Sequence, residues 1–168
     1  MEIKYTILLI DFIFGPKFIF RPLAHSIENF NLRVYGLLIH EGAVLITDEN
    51  RAGVLMTKFP GGGVEKGEGI ADCLIREFYE ELDIIIQVDE FYYTNEFFQQ
   101  SQFNKADQLH SFYFFVSTKE IDMIPSPSRK ESLKRNQQGF RWMPLVDLNP
   151  DEFTFPIDKV VAGNLSRM

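Results

Sequence analysis

Glu77, Glu80 and Glu81 stand at i, i+3 and i+4 within the stretch Gly61 to Ile84, GGGVEKGEGIADCLIREFYEELDI. At roughly 100° per residue, that spacing puts three carboxylates within an arc of about 100° on one helix. Acids packed that closely repel each other unless a cation neutralises them. Hard divalent ions such as magnesium take oxygen ligands from carboxylates, carbonyls and water. The glycines Gly61, Gly62 and Gly63 precede the helix and suit neither a helix interior nor a packed strand; they hold the backbone open for a close approach. An acidic run on a helix is more commonly a solvated face. Against that reading, the glycine loop, the isolated Glu68 and Arg76 all sit at fixed offsets from the acids. The helix itself is written in Ile70, Leu74, Phe78 and Leu82, one apolar stripe at every fourth residue.

These residues resemble the Nudix box, G-x5-E-x7-R-E-U-x-E-E-x-G-U, with U a bulky aliphatic or similar residue. Gly62 takes the first Gly and Glu68 the first Glu. Arg76 and Glu77 take the R-E pair, Phe78 is U, Glu80 and Glu81 take the E-E pair, and Ile84 is the last U. Asp83 stands where the family has Gly. Asp tolerates the left-handed turn that ends such a helix better than most residues, so a slightly altered exit with the site retained is expected.

The resemblance implies an α/β fold: a Nudix-type α/β/α sandwich with a mixed β-sheet, covering about Leu32 to Leu165. It also implies an enzyme, a Nudix-type pyrophosphohydrolase. Water would attack a phosphorus in the diphosphate bridge of a nucleoside diphosphate linked to another moiety, with magnesium or manganese as cofactor. Carried onto this chain, the metal ligands are Glu77, Glu80, Glu81 and the Gly61 carbonyl. Glu68 holds a second ion or orients water, and Arg76 orients a carboxylate. The catalytic set is then Glu68, Arg76, Glu77, Glu80 and Glu81. Lys58, three residues before Gly61, is placed to meet a substrate phosphate, with a solvated strand lysine as the plainer reading. Gly62 and Gly63 keep the backbone open to the substrate. The general base stays open among the box glutamates, Glu96 and Asp107. Arg33, Arg51 and Lys105 are weaker phosphate candidates. Phe97, Phe98 and Phe103 are the aromatic side chains able to stack a base, with core placement favoured for Phe97. His25, His40 and His110 show no ligand spacing. The residues around Gln99 to Ser101 lack the Pro that marks ADP-ribose enzymes of this type, and no diadenosine-type Tyr stands out. The competing function is a Nudix-like nucleotide-sensing or partner-binding module without turnover; every box carboxylate is retained, which favours catalysis.

The elements that must position these groups follow from the rest of the chain. With 168 residues and 45% hydrophobic content, it suits one globular domain with a small appendage. A net charge of -7 and a pI near 5.0 argue against a general nucleic-acid binder. Cys73 is the only cysteine, so no intrachain disulfide forms, and a reducing, cytoplasmic setting is expected. The Cys73 thiol itself reads as a small semi-buried side chain.

Residues 1–30 read as an N-terminal β-hairpin-like extension around Gly15-Pro16, and 31–168 as the Nudix domain. The apolar runs there are too short to span a membrane, and as exposed hairpin surface they suggest a homodimer. Ser26 to Asn31 reads as linker. Strands are expected at Leu32 to His40, Ala43 to Thr47 and Val54 to Phe59, with a turn at Glu41-Gly42 and a polar loop from Asp48 to Gly53. Further strands are expected at Ile84 to Val88 and Phe91 to Phe98, broken at Asp89-Glu90, then at Leu109 to Ser117 and Gly139 to Met143. Residues 119–138 read as a mobile or partly ordered insertion. Phe155-Pro156 opens a last helix ending near Leu165.

Overall fold

The computed structural model describes residues 27–125 and 133–168. Its spine is a parallel pair. Strand β1 (Asn29–His40) lies beside β6 (Asp107–Ser117) in register from Asn29 opposite Asp107 to Leu38 opposite Val116. β5 (Gln87–Thr94) extends the sheet antiparallel to β6, and β4 (Gly61–Gly63) pairs antiparallel with β1. β1 turns into β2 (Ala43–Arg51) through Glu41 and Gly42, both at positive φ (47° and 76°), the geometry of a two-residue hairpin turn. β2 then carries β3 (Val54–Lys58) on one side and β7 (Gln137–Pro144) on the other.

Two helices cover opposite faces of this mixed sheet, as alternate side chains of β1 show. Val34 and Leu38 pack with Leu74, Phe78 and Leu82 of α1 (Ile70–Leu82). Tyr35 and Leu37 pack with Ile157, Val161 and Leu165 of α2 (Pro156–Leu165). This is the expected α/β/α sandwich. Gly36, between the two sets, sets how closely α1 approaches: a Cβ there would stand 2.6 Å from the Phe78 ring. The expected helix exit is also present. Asp83 takes the left-handed conformation (φ 57°, ψ 35°) and its N–H donates to the Tyr79 carbonyl at 2.9 Å. Pro156 occupies the first turn of α2, where its missing N–H costs nothing.

Several boundaries differ from the sequence expectations. β1 begins at Asn29, inside the expected linker, because Asn29 and Asn31 reach across to Asp107 with their side-chain amides (3.2 Å each). β2 runs through the expected polar loop to Arg51. Asp48 there is fully buried and accepts hydrogen bonds from Thr57 Oγ1 (2.6 Å) and Arg141 Nε (2.7 Å), so a polar residue lies mid-strand. Asp89-Glu90 does not break β5; it marks a register irregularity within one strand. The strand ends at Thr94, and the next residue, buried Asn95, bonds the Phe97 carbonyl and the Ser111 N–H. Phe97 is consequently exposed, not core. β7 starts at Gln137. Residues 1–26, with most of the expected hairpin extension, and 126–132 of the expected insertion lie outside the described residues. Among the described residues, no helix is long and apolar enough to cross a membrane.

Candidate active site

Phe78 and Leu82 must face the sheet, so Glu77 and Glu81 are carried to the edge of α1 beside β4. The three glycines, expected as an open loop, are instead the short paired strand β4, tolerated because β1 and α1 press too close for side chains, and Gly62 is where β4 and α1 meet. A Cβ there would overlap the Glu77 carboxylate, so the missing side chain of Gly62 is the space in which Glu77 lies. Gly61 is held at φ 133°, and a Cβ there would overlap the Val34 carbonyl of β1. Gly63 is less confined: its would-be Cβ comes 3.6 Å from Arg33 Nη1, and its carbonyl accepts from Arg76 Nη2 at 3.2 Å.

Arg76 gathers the acids on the outer side of the helix. It holds Glu68 through two hydrogen bonds (Nη2 to Oε1 2.7 Å, Nε to Oε2 3.1 Å) and also reaches Glu77 (2.9 Å) and Glu80 (3.2 Å) through Nη1. Arg76 thus donates hydrogen bonds to three glutamates. Glu68 also accepts from the Glu65 N–H (2.7 Å). The Arg76 hydrogen bonds first, and that N–H second, hold its carboxyl down to about 2. Cys73 is buried beside this network, donates to the Gly63 carbonyl, and has its thiol pushed up to about 12, first by burial and then by Glu68. It is an inert packing residue, as expected.

Glu81 faces the other way, toward Lys58. Among the described residues, its buried Oε2 has no hydrogen-bond partner. Burial pushes the carboxyl up, while Lys58 and Gln138 oppose that shift. Lys58 is itself buried; its ammonium donates to the Gly61 carbonyl at 3.3 Å and lies 3.4 Å from Glu49 Oε2. Burial alone would push Lys58 down, but Glu81, Tyr35 and Glu49 more than offset it and its pKa is raised. The acidic arc expected from the sequence is therefore divided. Glu77 and Glu80 lean on Arg76, Glu81 leans toward Lys58, and among the described residues no three acidic, His or Cys side chains already converge on one point.

The donor set nevertheless fits a hard divalent cation. It consists only of oxygens, namely three carboxylates and the Gly61 carbonyl, and one buried carboxylate oxygen lacks a partner. A buried acceptor without a donor is unfavourable, and a cation would satisfy it.

Lys58 also lines a cavity of about 160 Å³ on the α2 side of the sheet. Its floor carries Tyr35, Tyr113 and Asp158; Arg33 and Glu49 lie toward the acids, and Phe103, Phe155 and Arg51 form a rim. Arg51 stacks over the Phe103 ring at 4.9 Å, and Phe103 meets Phe155 edge-on at 6.4 Å. Arg33 Nε donates to the Tyr35 hydroxyl at 2.6 Å. Asp158, almost wholly buried, accepts from the Tyr113 hydroxyl at 2.7 Å; burial pushes its carboxyl up to about 7.

Of the weaker candidates, Arg33, Arg51 and Phe103 thus reach the cavity, whereas Phe97, Phe98, Lys105 and Glu96 do not line it. Asp107 lies at its edge, bonded by Asn29, Asn31 and Asn104. The sequence reading missed Glu49, Tyr35, Tyr113 and Asp158. For Asp158 a signal was present, since it falls on the same face of α2 as Val161, Ala162 and Leu165, an acid within an apolar stripe.

The Nudix domain family matches residues 30–163 of this chain. The chain belongs to the Nudix hydrolase family. It is a Nudix-type enzyme, and its box spans the helix and glycine strand described above. Solved structures with the same fold include the MutT protein from Methanosarcina mazei Go1, at 16% identity and TM-score 0.61, covering 83% of this chain and 95% of that one. The MutT Nudix hydrolase from Burkholderia pseudomallei aligns at 17% identity and TM-score 0.59 over 81% and 98% of the two chains. An ADP-ribose pyrophosphatase from Streptococcus suis 89-1591 aligns at 14% identity and TM-score 0.50 over 81% and 87%. At such identities the likeness is one of fold. No curated protein matches the Nudix chain.

Proposed function

We propose that this Nudix enzyme hydrolyses the diphosphate bond of a nucleoside diphosphate linked to another moiety, with magnesium or manganese as cofactor. The observation that carries this reading is the buried Glu81 Oε2, without a hydrogen-bond partner among the described residues, beside a glycine strand cut away to admit Glu77. Glu77, Glu80, Glu81 and the Gly61 carbonyl would hold the metal. A divalent ion there supplies charge neutralisation for the diphosphate and lowers the pKa of bound water.

The chain's own residues do the remaining work. Arg76 fixes the rotamers of Glu68, Glu77 and Glu80, so the carboxylates meet the substrate already oriented. Gly62 leaves the room that Glu77 occupies, and the Gly63 carbonyl anchors Arg76 beside it. Lys58 lines the cavity next to the acids and supplies a positive charge where the diphosphate would pass. Beyond it the cavity receives the group attached to the diphosphate. Arg51 and Phe103 at the rim offer a cationic and an aromatic face for a planar ring. The water-activating base stays among the box glutamates, of which Glu81 has its basicity raised by burial.

A product screen tests the reading. The panel holds nucleotide sugars, ADP-ribose, nucleoside triphosphates and dinucleoside polyphosphates, each with magnesium or manganese. Turnover of at least one is expected, falling by about 100-fold or more in Glu81→Gln and in Glu77→Gln, the order seen when metal ligation fails. Metal-dependent turnover unchanged in both variants refutes the site. Binding without turnover across the panel supports the sensing-module reading instead.

A further inference from the structure

A lysine ammonium holds the one backbone carbonyl of the ligand set proposed for the metal. Lys58 Nζ donates to the Gly61 carbonyl at 3.3 Å, lies 3.4 Å from Glu49 Oε2, and is electrostatically coupled to Glu81. Its stem rises from the end of β3, two residues before Pro60, so the ammonium is delivered to this point by the sheet. Only 7% of the residue is exposed, so the charge is not free to move into solvent as a surface lysine would be. A plain structural ion pair would explain Glu49. It does not account for the hydrogen bond to the Gly61 carbonyl, the backbone oxygen proposed above as a metal ligand.

We propose that Lys58 is a resident cation that competes with the divalent ion for the Gly61 carbonyl and for the charge of Glu81, so that the free enzyme binds metal weakly. This rests on the metal-site reading above. Two consequences follow from charge alone. A divalent ion approaching Glu81 meets an ammonium within the same cluster, where the dielectric is low and like-charge repulsion is poorly screened. To gain the Gly61 carbonyl, the ion must displace the Lys58 hydrogen bond. An anionic diphosphate would draw the ammonium toward itself and relieve both penalties, which couples metal binding to substrate binding in both directions.

The test is a titration of the whole, substrate-free protein with manganese(II), followed by electron paramagnetic resonance, with no turnover involved. Lys58→Gln, which keeps a polar chain but removes the charge, is expected to bind manganese at least about ten-fold more tightly than the wild type, given the size of unscreened charge repulsion at such distances. Lys58→Arg, which keeps the charge, is expected to stay weak. Equal or weaker binding by Lys58→Gln overturns the proposal.

Should Lys58→Gln fail to fold, the wild type alone decides. With diamagnetic magnesium, the Lys58 Cε and Nζ resonances are expected to shift along the same curve as metal binding. Resonances that stay still while metal binds overturn the proposal. Glu81→Gln separates the two levels of inference: lost binding in Glu81→Gln with unchanged binding in Lys58→Gln refutes only the role of Lys58. Equal binding by wild type, Glu77→Gln and Glu81→Gln refutes the metal site and the lysine proposal together.

Discussion

Asp158 should make the enzyme less stable as pH rises, and Asp158→Asn should remove that dependence. The side chain is 1% exposed, and burial raises its carboxyl from the ordinary 3.8 to about 7, against the opposing influence of the Tyr113 hydroxyl, Lys58 and Arg33. The folded state therefore binds the proton more tightly than the unfolded chain does. Stability from this group is complete below about pH 3.8, falls as pH rises through about 7, and is level above that. The interval between 3.8 and about 7, at about 1.4 kcal/mol per pH unit, corresponds to roughly 4 kcal/mol. Asparagine retains an oxygen to accept from Tyr113 Oη and carries no charge to bury.

The assay is urea unfolding of both proteins between pH 4 and pH 8. Comparing the two at each pH cancels the other titrating groups. Asp158→Asn is expected to match the wild type near pH 4 and to exceed it by up to roughly 4 kcal/mol at pH 8. A stability difference that is flat with pH, or that favours the wild type at pH 8, refutes the argument that a carboxylate is being held in a desolvated site.

Gly62→Ala should act through Glu77. Its methyl overlaps the Glu77 carboxylate, so kcat/KM should drop by about 100-fold or more, with the helix content seen by circular dichroism retained. Activity within a few fold of wild type would show that Glu77 can take another position at no cost to catalysis. Arg141→Met should destabilise the sheet, because it strands the buried Asp48 carboxylate that Arg141 Nε meets at 2.7 Å. The expected loss is about 3 kcal/mol, the low end for a broken buried pair because Arg141 is itself partly exposed. That corresponds to a melting-point fall of roughly 6–12 °C for a domain of this size, read by scanning calorimetry. The double change Asp48→Asn with Arg141→Met should recover most of it; no recovery would mean the loss arises elsewhere, such as at the Glu152 contact.

The acidic helix was legible because its information is local. Spacing along one helix fixes which side chains share a face, and Leu74, Phe78 and Leu82 fix which face is inward. The left-handed Asp83 and the start of α2 at Pro156 were legible for the same reason, since each follows from the backbone preference of one residue. The surroundings of Lys58 were not. Glu49 reaches it only because β2 and β3 pair with Thr47 opposite Lys58, a long-range register that no short window encodes. Phe97 and Phe98 close the β-prone run Phe91 to Phe98, which reads as strand to its end. The amide of Asn95, a turn-type bond within the chain, ends the strand before them. Asp48 reads as loop in the sequence because a buried acid is intelligible only with its partner, and Arg141 lies 93 residues away.

One guanidinium anchoring three glutamates has a bearing on how the protein matures. Self-repulsion along the acidic rim of α1 is already quenched from within the chain, by a group that stays charged at every physiological pH. A newly synthesised chain can therefore set Glu68, Glu77 and Glu80 in place before any cation reaches them.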